Sequence, residues 1–136
     1  MIKMIPFQKK IEKPWGWEIL LSPPRSPVVA KILHLNTNSR FSLQYHEEKE
    51  ETLSLIRGEA KLILGGLKEV GELKEEIMIK DSGYFIPKGL VHRCFGVTDC
   101  DIFESSTPET GTTVRLEDDY NRVNETEEER SKNRAN

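Results

Sequence analysis

Four side chains that can ligate a divalent metal stand out in the sequence: Gln44, His46, Glu51 and His92. The first three lie close together, and the fourth ends the later segment Ile-Pro-Lys-Gly-Leu-Val-His. Imidazole nitrogen and carboxylate or amide oxygen hold cations such as zinc, manganese or iron, and this set has no thiolate. The four residues therefore predict one nitrogen-and-oxygen metal site and metal-dependent chemistry.

The predicted ligands need β-strands to position them. Alternate residues of a strand point to the same face, so Gln44 and His46 are expected to face one interior. Glu51 reaches that interior only if the chain turns through residues 47–50, a charged stretch without apolar side chains. His92 comes from a distant strand, after the turn at 87–89, and ligands from separated strands preorganise a cation site. His34 has no such neighbours and is interpreted as structural or exposed.

Short apolar or alternating runs dominate the chain, and each has the length of a strand. Segments rich in proline, glycine, asparagine and serine separate them and supply turn geometry. Many short strands at even spacing predict an all-β sandwich or barrel, not a parallel α/β sheet. The runs are 15–21, 28–35, 41–46, 52–56, 60–64, 76–79, 84–86, 91–97 and 102–104.

The length of 136 residues predicts one domain with a single core. We assign residues 1–123 to it. Residues 124–136 carry almost no apolar side chains, which predicts a charged tail that is a frayed helix or disordered.

Composition excludes several function classes. A net charge of −3 with 32% charged residues is not the basic surface that a general nucleic-acid binder needs. Cys94 and Cys100 form no CxxC pair and favour a reducing, cytoplasmic setting over a disulfide framework. The N-terminal segment has no apolar run that resembles a signal peptide or a membrane span, so no membrane partner is expected.

The two histidine segments resemble the paired motifs of the cupin superfamily, small β-barrels that hold a metal with histidines and a glutamate. Gln44 stands where the general pattern has its first histidine, and Asp81 where the second motif usually opens with glycine. Glutamine in Ser-Leu-Gln-x-His is similar to the type II phosphomannose isomerase cupin. The resemblance covers roughly residues 13–123 in order. It includes Lys-Pro-Trp-Gly-Trp-Glu at 13–18, Ala-Lys at 30–31, Gly-Glu-Ala at 58–60, Tyr-Phe-Ile-Pro at 84–87, His-Arg at 92–93 and Val-Arg-Leu-Glu-Asp-Asp-Tyr-Asn-Arg at 114–122.

This resemblance implies a single-domain, jelly-roll-like cupin β-barrel that interconverts mannose 6-phosphate and fructose 6-phosphate. It implies one divalent metal ion, zinc first, with cobalt, manganese, iron or nickel as alternatives, and a homodimer. Arg115 and Arg122 match the arginines of the family's closing motif and are candidates for substrate and transition-state contacts. Lys31 is a candidate for phosphate binding or proton transfer, and Lys49 and Lys88 for substrate binding.

Several positions depart from the isomerase pattern. Lys49 stands where the isomerases have arginine, Thr52-Leu53 replaces a His-Trp pair, Asn121 replaces a glycine, and the segment 105–111 is shorter. Two alternatives therefore remain open. Two histidines and one carboxylate also suit a non-haem iron dioxygenase, and the departures also fit a cupin that binds a sugar or metabolite without turnover.

Overall fold

The computed structural model describes residues 3–134, which form eleven β-strands and one α-helix. The all-β prediction is confirmed. The strands are β1 Lys9–Lys13, β2 Gly16–Leu20, β3 Val29–Leu35, β4 Leu43–His46, β5 Glu51–Arg57, β6 Ala60–Leu67, β7 Lys74–Ile77, β8 Gly83–Ile86, β9 Leu90–Gly96, β10 Cys100–Ser106 and β11 Thr113–Glu117, and helix α1 is Glu127–Arg134.

The strands form two antiparallel sheets. One has six strands in the order β1-β2-β3-β10-β5-β8, and the other has five in the order β11-β4-β9-β6-β7. The two sheets do not close into one barrel, and the arrangement is jelly-roll-like. Neighbours in a sheet are distant in sequence, as with β3, β10 and β5, so the fold brings remote segments together between the sheets.

The alternation of buried and more exposed side chains explains why the central strands form. In β5, Glu51, Leu53 and Leu55 are buried while the residues between them are half-buried. In β10, the buried residues are Cys100, Ile102, Glu104 and Ser106, which alternate with more exposed residues and therefore share one face of the strand. Side chains of both sheets then share one apolar cluster, and complete burial of each leucine or isoleucine contributes about 1.5–3 kcal/mol. Its members include Leu33, Leu35, Leu53, Leu55, Leu62, Cys94, Cys100 and Ile102.

The C-terminal segment ends in a helix that packs on the sheets through charged side chains. Backbone N–H of Glu129 donates to Oγ1 of Thr126, which caps the helix start. The first turn is acidic and the last basic, which complements the helix dipole. Arg130 is buried although the helix has no apolar residue. Positions 135–136 of the predicted tail lie outside the described residues.

Cys94 and Cys100 are both free and buried. Between residues 3 and 134, no helix combines the length and the apolar character needed to cross a bilayer.

Candidate metal centre

Three of the four predicted ligands converge between the sheets. Nε2 of His92 lies 2.9 Å and Nε2 of His46 lies 3.4 Å from Oε1 of Glu51. One ligand atom from each residue lies within 4.8 Å of the other two, and all three residues are buried. His46 is the last residue of β4 and His92 lies on β9, both in the five-stranded sheet, whereas Glu51 opens β5 in the other sheet. We call these three residues the trio.

Each histidine is oriented through its second ring nitrogen. Nδ1–H of His92 donates to the Leu90 carbonyl at 2.8 Å, which leaves the Nε2 lone pair directed toward Glu51. Nδ1 of His46 lies 2.9 Å from Oγ1 of Thr113 on β11. Nη2 of Arg130 donates to the same hydroxyl at 3.2 Å. The Thr113 hydroxyl therefore bridges Arg130 of helix α1 and the ring of His46.

The trio fits a divalent cation. Nε2 of each histidine is buried and makes no hydrogen bond within residues 3–134. Such orphaned polar groups are costly unless a further partner satisfies them. Two ligands held about 2.1 Å from one ion lie about 3.0–3.4 Å apart at octahedral or tetrahedral angles. The distances from the two histidine nitrogens to Oε1 of Glu51, 2.9 and 3.4 Å, match that spacing, so the cluster could hold a metal.

Gln44 lies beside the trio. It is in register with His92 across β4 and β9, and it lines the same cavity as His46 and Glu51. Its Oε1 accepts a hydrogen bond from the Ser42 hydroxyl at 2.6 Å. An amide oxygen has a second lone pair, so this bond leaves the predicted ligand role open.

Two residues of the trio, His46 and Glu51, line a cavity of about 70 Å³, which we call the inner cavity. Its lining is highly charged, with cations outnumbering carboxylates. Trp15, Leu33, Phe41 and Leu53 supply the apolar part. The cations are Lys13, Lys31, Lys49, Arg115, Arg122, Arg130 and Arg134, and the carboxylates are Glu18, Glu51, Glu104, Glu109 and Glu125.

Lys31 and Lys49 lie buried among these carboxylates. Nζ of Lys31 donates to Oε1 of Glu109 at 2.5 Å and lies 3.6 Å from Glu18 and 3.7 Å from Glu104. Nζ of Lys49 lies 3.1 Å from Oε2 of Glu104 and 3.3 Å from Oε2 of Glu51. The two ammonium groups thus share Glu104, and Lys49 connects this network to the trio.

Burial and neighbouring charge move several pKa values in opposite directions. Burial lowers the pKa of Lys31, although Glu104 and Glu18 oppose the shift. Burial also acts to lower the pKa of Lys49, but Glu104 and Glu51 outweigh it and the pKa is raised. Burial and then Lys49 lower the pKa of His46 to about 3, which keeps its imidazole neutral and able to bind a metal.

The remaining predicted site residues are placed differently. Arg115 and Arg122 both line the inner cavity. Arg115 donates through Nη1 to the Val123 carbonyl at 2.7 Å, and Arg122 donates through Nε and Nη2 to both oxygens of Asp118, each at 3.0 Å. Lys88 is exposed in the turn before β9 and does not line the cavity. The structure therefore brings the two arginines to the site but not Lys88.

His34 lies outside the trio. Its ring stacks on Trp17 with centroids 3.8 Å apart, and its Nδ1 lies 2.7 Å from Oδ1 of Asp101. These contacts fit the structural interpretation drawn from the sequence.

Sequence reasoning missed several charged residues of the cavity. The alternation of the strands could have indicated Glu18 and Glu104. Glu18 lies two residues before the buried Leu20, and Glu104 lies two residues after the buried Ile102, so each glutamate is on the buried face of its strand. Arg130 and Arg134 gave no such signal, since they belong to a helix without apolar periodicity.

Comparison with known proteins gives the fold. No family model matches the chain, and no curated protein matches it. Among solved structures, it is similar to the capsular polysaccharide assembling protein CapF from Staphylococcus aureus, with a TM-score of 0.62 and 12% identity over 88% of this chain and 32% of that one. It is also similar to an oxalate decarboxylase variant from Bacillus subtilis, with a TM-score of 0.65 and 14% identity over 80% of this chain and 30% of that one.

A third similar structure is KdgF from Halomonas sp., with a TM-score of 0.61 and 12% identity over 75% of this chain and 87% of that one. The chain spans about a third of the CapF and oxalate decarboxylase chains. At these identities the likeness concerns the fold alone. The chain has the cupin fold.

Proposed function

We propose that this protein is a metal-dependent sugar-phosphate isomerase that interconverts mannose 6-phosphate and fructose 6-phosphate. The observation that carries the proposal is the convergence of His46, Glu51 and His92 beside the inner cavity, which His46 and Glu51 line together with lysine and arginine side chains. The proposed setting is the cytoplasm, which the two free, buried cysteines support.

The reaction moves a proton between C2 and C1 of the sugar through an enediol. A divalent ion held by the trio, with Gln44 as a further oxygen ligand, would supply electrophilic stabilisation of the developing oxyanion. The chain's own residues have to orient the sugar, hold its phosphate and carry the proton. Lys31 is the proposed proton carrier, because it is buried beside the cavity and burial lowers its pKa.

The cations of the inner cavity are suited to an anionic substrate. Arg115 supports this role because its Nε is buried and makes no hydrogen bond within the described part of the chain. A guanidinium group offers a planar fork of donors for phosphate or for a developing oxyanion. Lys49 offers a single point charge close to Glu51, and Arg122 is held in place by Asp118.

A coupled assay for fructose 6-phosphate formed from mannose 6-phosphate tests the proposal. The protein is loaded in turn with zinc, cobalt, manganese, iron or nickel, beside a chelated sample. We expect metal-dependent turnover, and a loss of kcat/KM of about 100-fold in Arg115→Ala and in Arg122→Ala, the scale expected when one preorganised donor is removed. Arg57→Ala is the control, since Arg57 is 72% exposed and lies outside the cavity. Absence of turnover with every metal, despite a bound ion, would reject the isomerase.

The composition of the trio supports a second candidate. Two histidines and one carboxylate are also the ligand set of non-haem iron dioxygenases. In that case the protein loaded with ferrous iron consumes oxygen in the presence of substrate. Turnover with zinc under anaerobic conditions excludes this candidate and favours the isomerase.

The position of Leu53 supports a third candidate, a cupin that binds a sugar without turnover. Leu53 is buried and lines the inner cavity where the isomerases carry an aromatic side chain of their His-Trp pair. A binding protein would be stabilised by mannose 6-phosphate against thermal unfolding, because the ligand binds the native state alone, and would form no product.

A further inference from the structure

A second cavity of about 360 Å³ adjoins the inner one, and we call it the outer cavity. Sites for small ligands commonly measure about 300–1,000 Å³, so the outer cavity reaches that range and the inner cavity, at about 70 Å³, does not. Glu109, Arg130 and Arg134 line both cavities and form the partition between them. The inner cavity alone is too small for a hexose phosphate, and the outer cavity lies directly beyond this partition.

The lining of the outer cavity is suited to a phosphate group. Lys9, Arg130 and Arg134 face it, against the carboxylates of Glu109 and Glu127. Hydroxyl groups and arginine forks are the donors that phosphate oxygens accept from. The hydroxyl-bearing residues of the lining are Ser22, Ser26, Thr110 and Ser131.

The partition consists of ion pairs rather than apolar contacts. Nη2 of Arg134 donates to Oε1 of Glu18 at 2.6 Å, and its Nη1 pairs with Glu109. Nε of Arg130 donates to Oε1 of Glu125 at 2.9 Å. Helix α1 has no apolar side chain, so these pairs and other polar contacts hold it in place. A phosphate can replace a carboxylate as the partner of a guanidinium group without leaving that charge unpaired.

We propose that the outer cavity binds the phosphate group of the substrate, with Arg134 and Arg130 exchanging a carboxylate partner for phosphate while the sugar reaches the trio. This inference rests on the proposed sugar-phosphate function and adds the phosphate subsite to it. The subsite is built from the C-terminal helix and the loop that precedes β3.

Two neighbouring valines provide the first test. Val29 lines the outer cavity, whereas Val28 is 66% exposed and does not. Binding of mannose 6-phosphate to the zinc-loaded protein is measured by calorimetry in Val29→Trp and in Val28→Trp. We expect the Kd to rise at least 10-fold in Val29→Trp and to stay within twofold in Val28→Trp. Equal affinity in the two variants, with equal zinc content and equal melting temperature, would overturn the inference.

Two residues of helix α1 provide a test that does not depend on filling the cavity. Arg134→Ala is compared with Lys132→Ala, since the Lys132 side chain is 74% exposed on the same helix. With inorganic phosphate as the probe, we expect a Kd at least 10-fold higher in Arg134→Ala and unchanged in Lys132→Ala. Wild-type protein that binds neither probe, or variants that bind alike, would refute the subsite. Binding with these dependences but without isomerase turnover would reject the enzyme and retain the subsite.

Discussion

Buried charges next to the trio are the most unusual feature at the scale of single residues. Glu18, Lys31, Lys49 and Glu104 are each less than 10% exposed, and each has an oppositely charged partner. Burying ions costs more than burying apolar side chains of the same size, and pairing offsets this cost only when the geometry is good. These residues are therefore better explained by chemistry in the cavity than by stability of the fold.

The trio yields a direct prediction about metal content. We expect His46→Ala and His92→Ala each to lose stoichiometric zinc, because each removes one of three convergent ligands. Metal content is measured by atomic emission after gel filtration. His34→Ala is the matched control, since His34 is also a buried histidine but stacks on Trp17 away from the trio. Full metal occupancy in the His46 and His92 variants would contradict the site.

Glu18 yields a prediction about pH. Burial acts to raise its pKa, but Lys31, Lys13 and Arg134 outweigh it, and the pKa is lowered well below its ordinary value of 4.5. Its pairs therefore stabilise the fold above pH 4.5 and lose this effect as the pH falls below it. We expect Glu18→Gln to lower the free energy of unfolding by about 3 kcal/mol at pH 7, as for other broken buried pairs.

Urea denaturation of both proteins at pH 7 and at pH 4 measures this difference. We expect a smaller difference at pH 4, because this pH lies below the ordinary pKa of 4.5 and the wild-type carboxylate is then largely protonated in the unfolded state. A difference that is the same at both pH values would show that Glu18 acts through its shape and not through its charge.

At the scale of elements, the strands of the core were predictable, whereas two of the four edge strands were not. In β5 and β10, alternate apolar residues are buried and the runs agree with the structure within three residues at each end. The sequence analysis missed β1 and β11, because their side chains are mostly half-buried or exposed and follow no clear alternation. The predicted run at 76–79 corresponds to Lys74–Ile77, where all four residues are exposed and pairing with β6 alone defines the strand.

The candidate site was predictable only in part. The trio follows from residue type and spacing, because strand geometry limits how these side chains can meet. The positions of Arg130 and Arg134 depend on ion pairs with Glu18, Glu109 and Glu125, which are distant in sequence. No local sequence pattern specifies such pairs, so Arg130 and Arg134 could not be predicted to line the cavity.

The turn between β5 and β6 yields a prediction at this scale. Gly58 has a φ of +84°, and a Cβ there would lie 2.3 Å from the Asp99 carbonyl oxygen. Gly71 has a φ of +56°, but the nearest atom to its Cβ would be 3.8 Å away. We expect Gly71→Ala to cost about 1 kcal/mol from its backbone conformation alone. Gly58→Ala should cost about 3 kcal/mol or more, because the clash with backbone adds to this strain. Thermal and urea unfolding compare the two variants, and equal costs would show that the turn yields without strain.

At the scale of the whole molecule, the outer face of the six-stranded sheet offers a surface for the homodimer that the family resemblance implies. Ile19, Ile32 and Phe103 lie in register on β2, β3 and β10 and are only half-buried. We expect light scattering to give twice the chain mass of 15.7 kDa. Ile32→Lys should shift the mass toward the monomer, because a lysine ammonium in an apolar interface is costly.

Leu67→Lys is the control for the dimer, since Leu67 is 67% exposed on the five-stranded sheet. A wild-type mass of one chain, or the same mass in both variants as in the wild type, would contradict an interface on this face.

The three residues of the trio come from both sheets, and this has a consequence for the lifetime of the folded protein. His46 and His92 belong to one sheet and Glu51 to the other, so an ion bound by all three would be a cross-link between them. Because such an ion binds the native arrangement alone, its binding free energy would add to the stability of the whole chain. Metal scarcity would then reduce the amount of surviving protein as well as its activity, and the abundance of the protein in a cell would follow the metal supply.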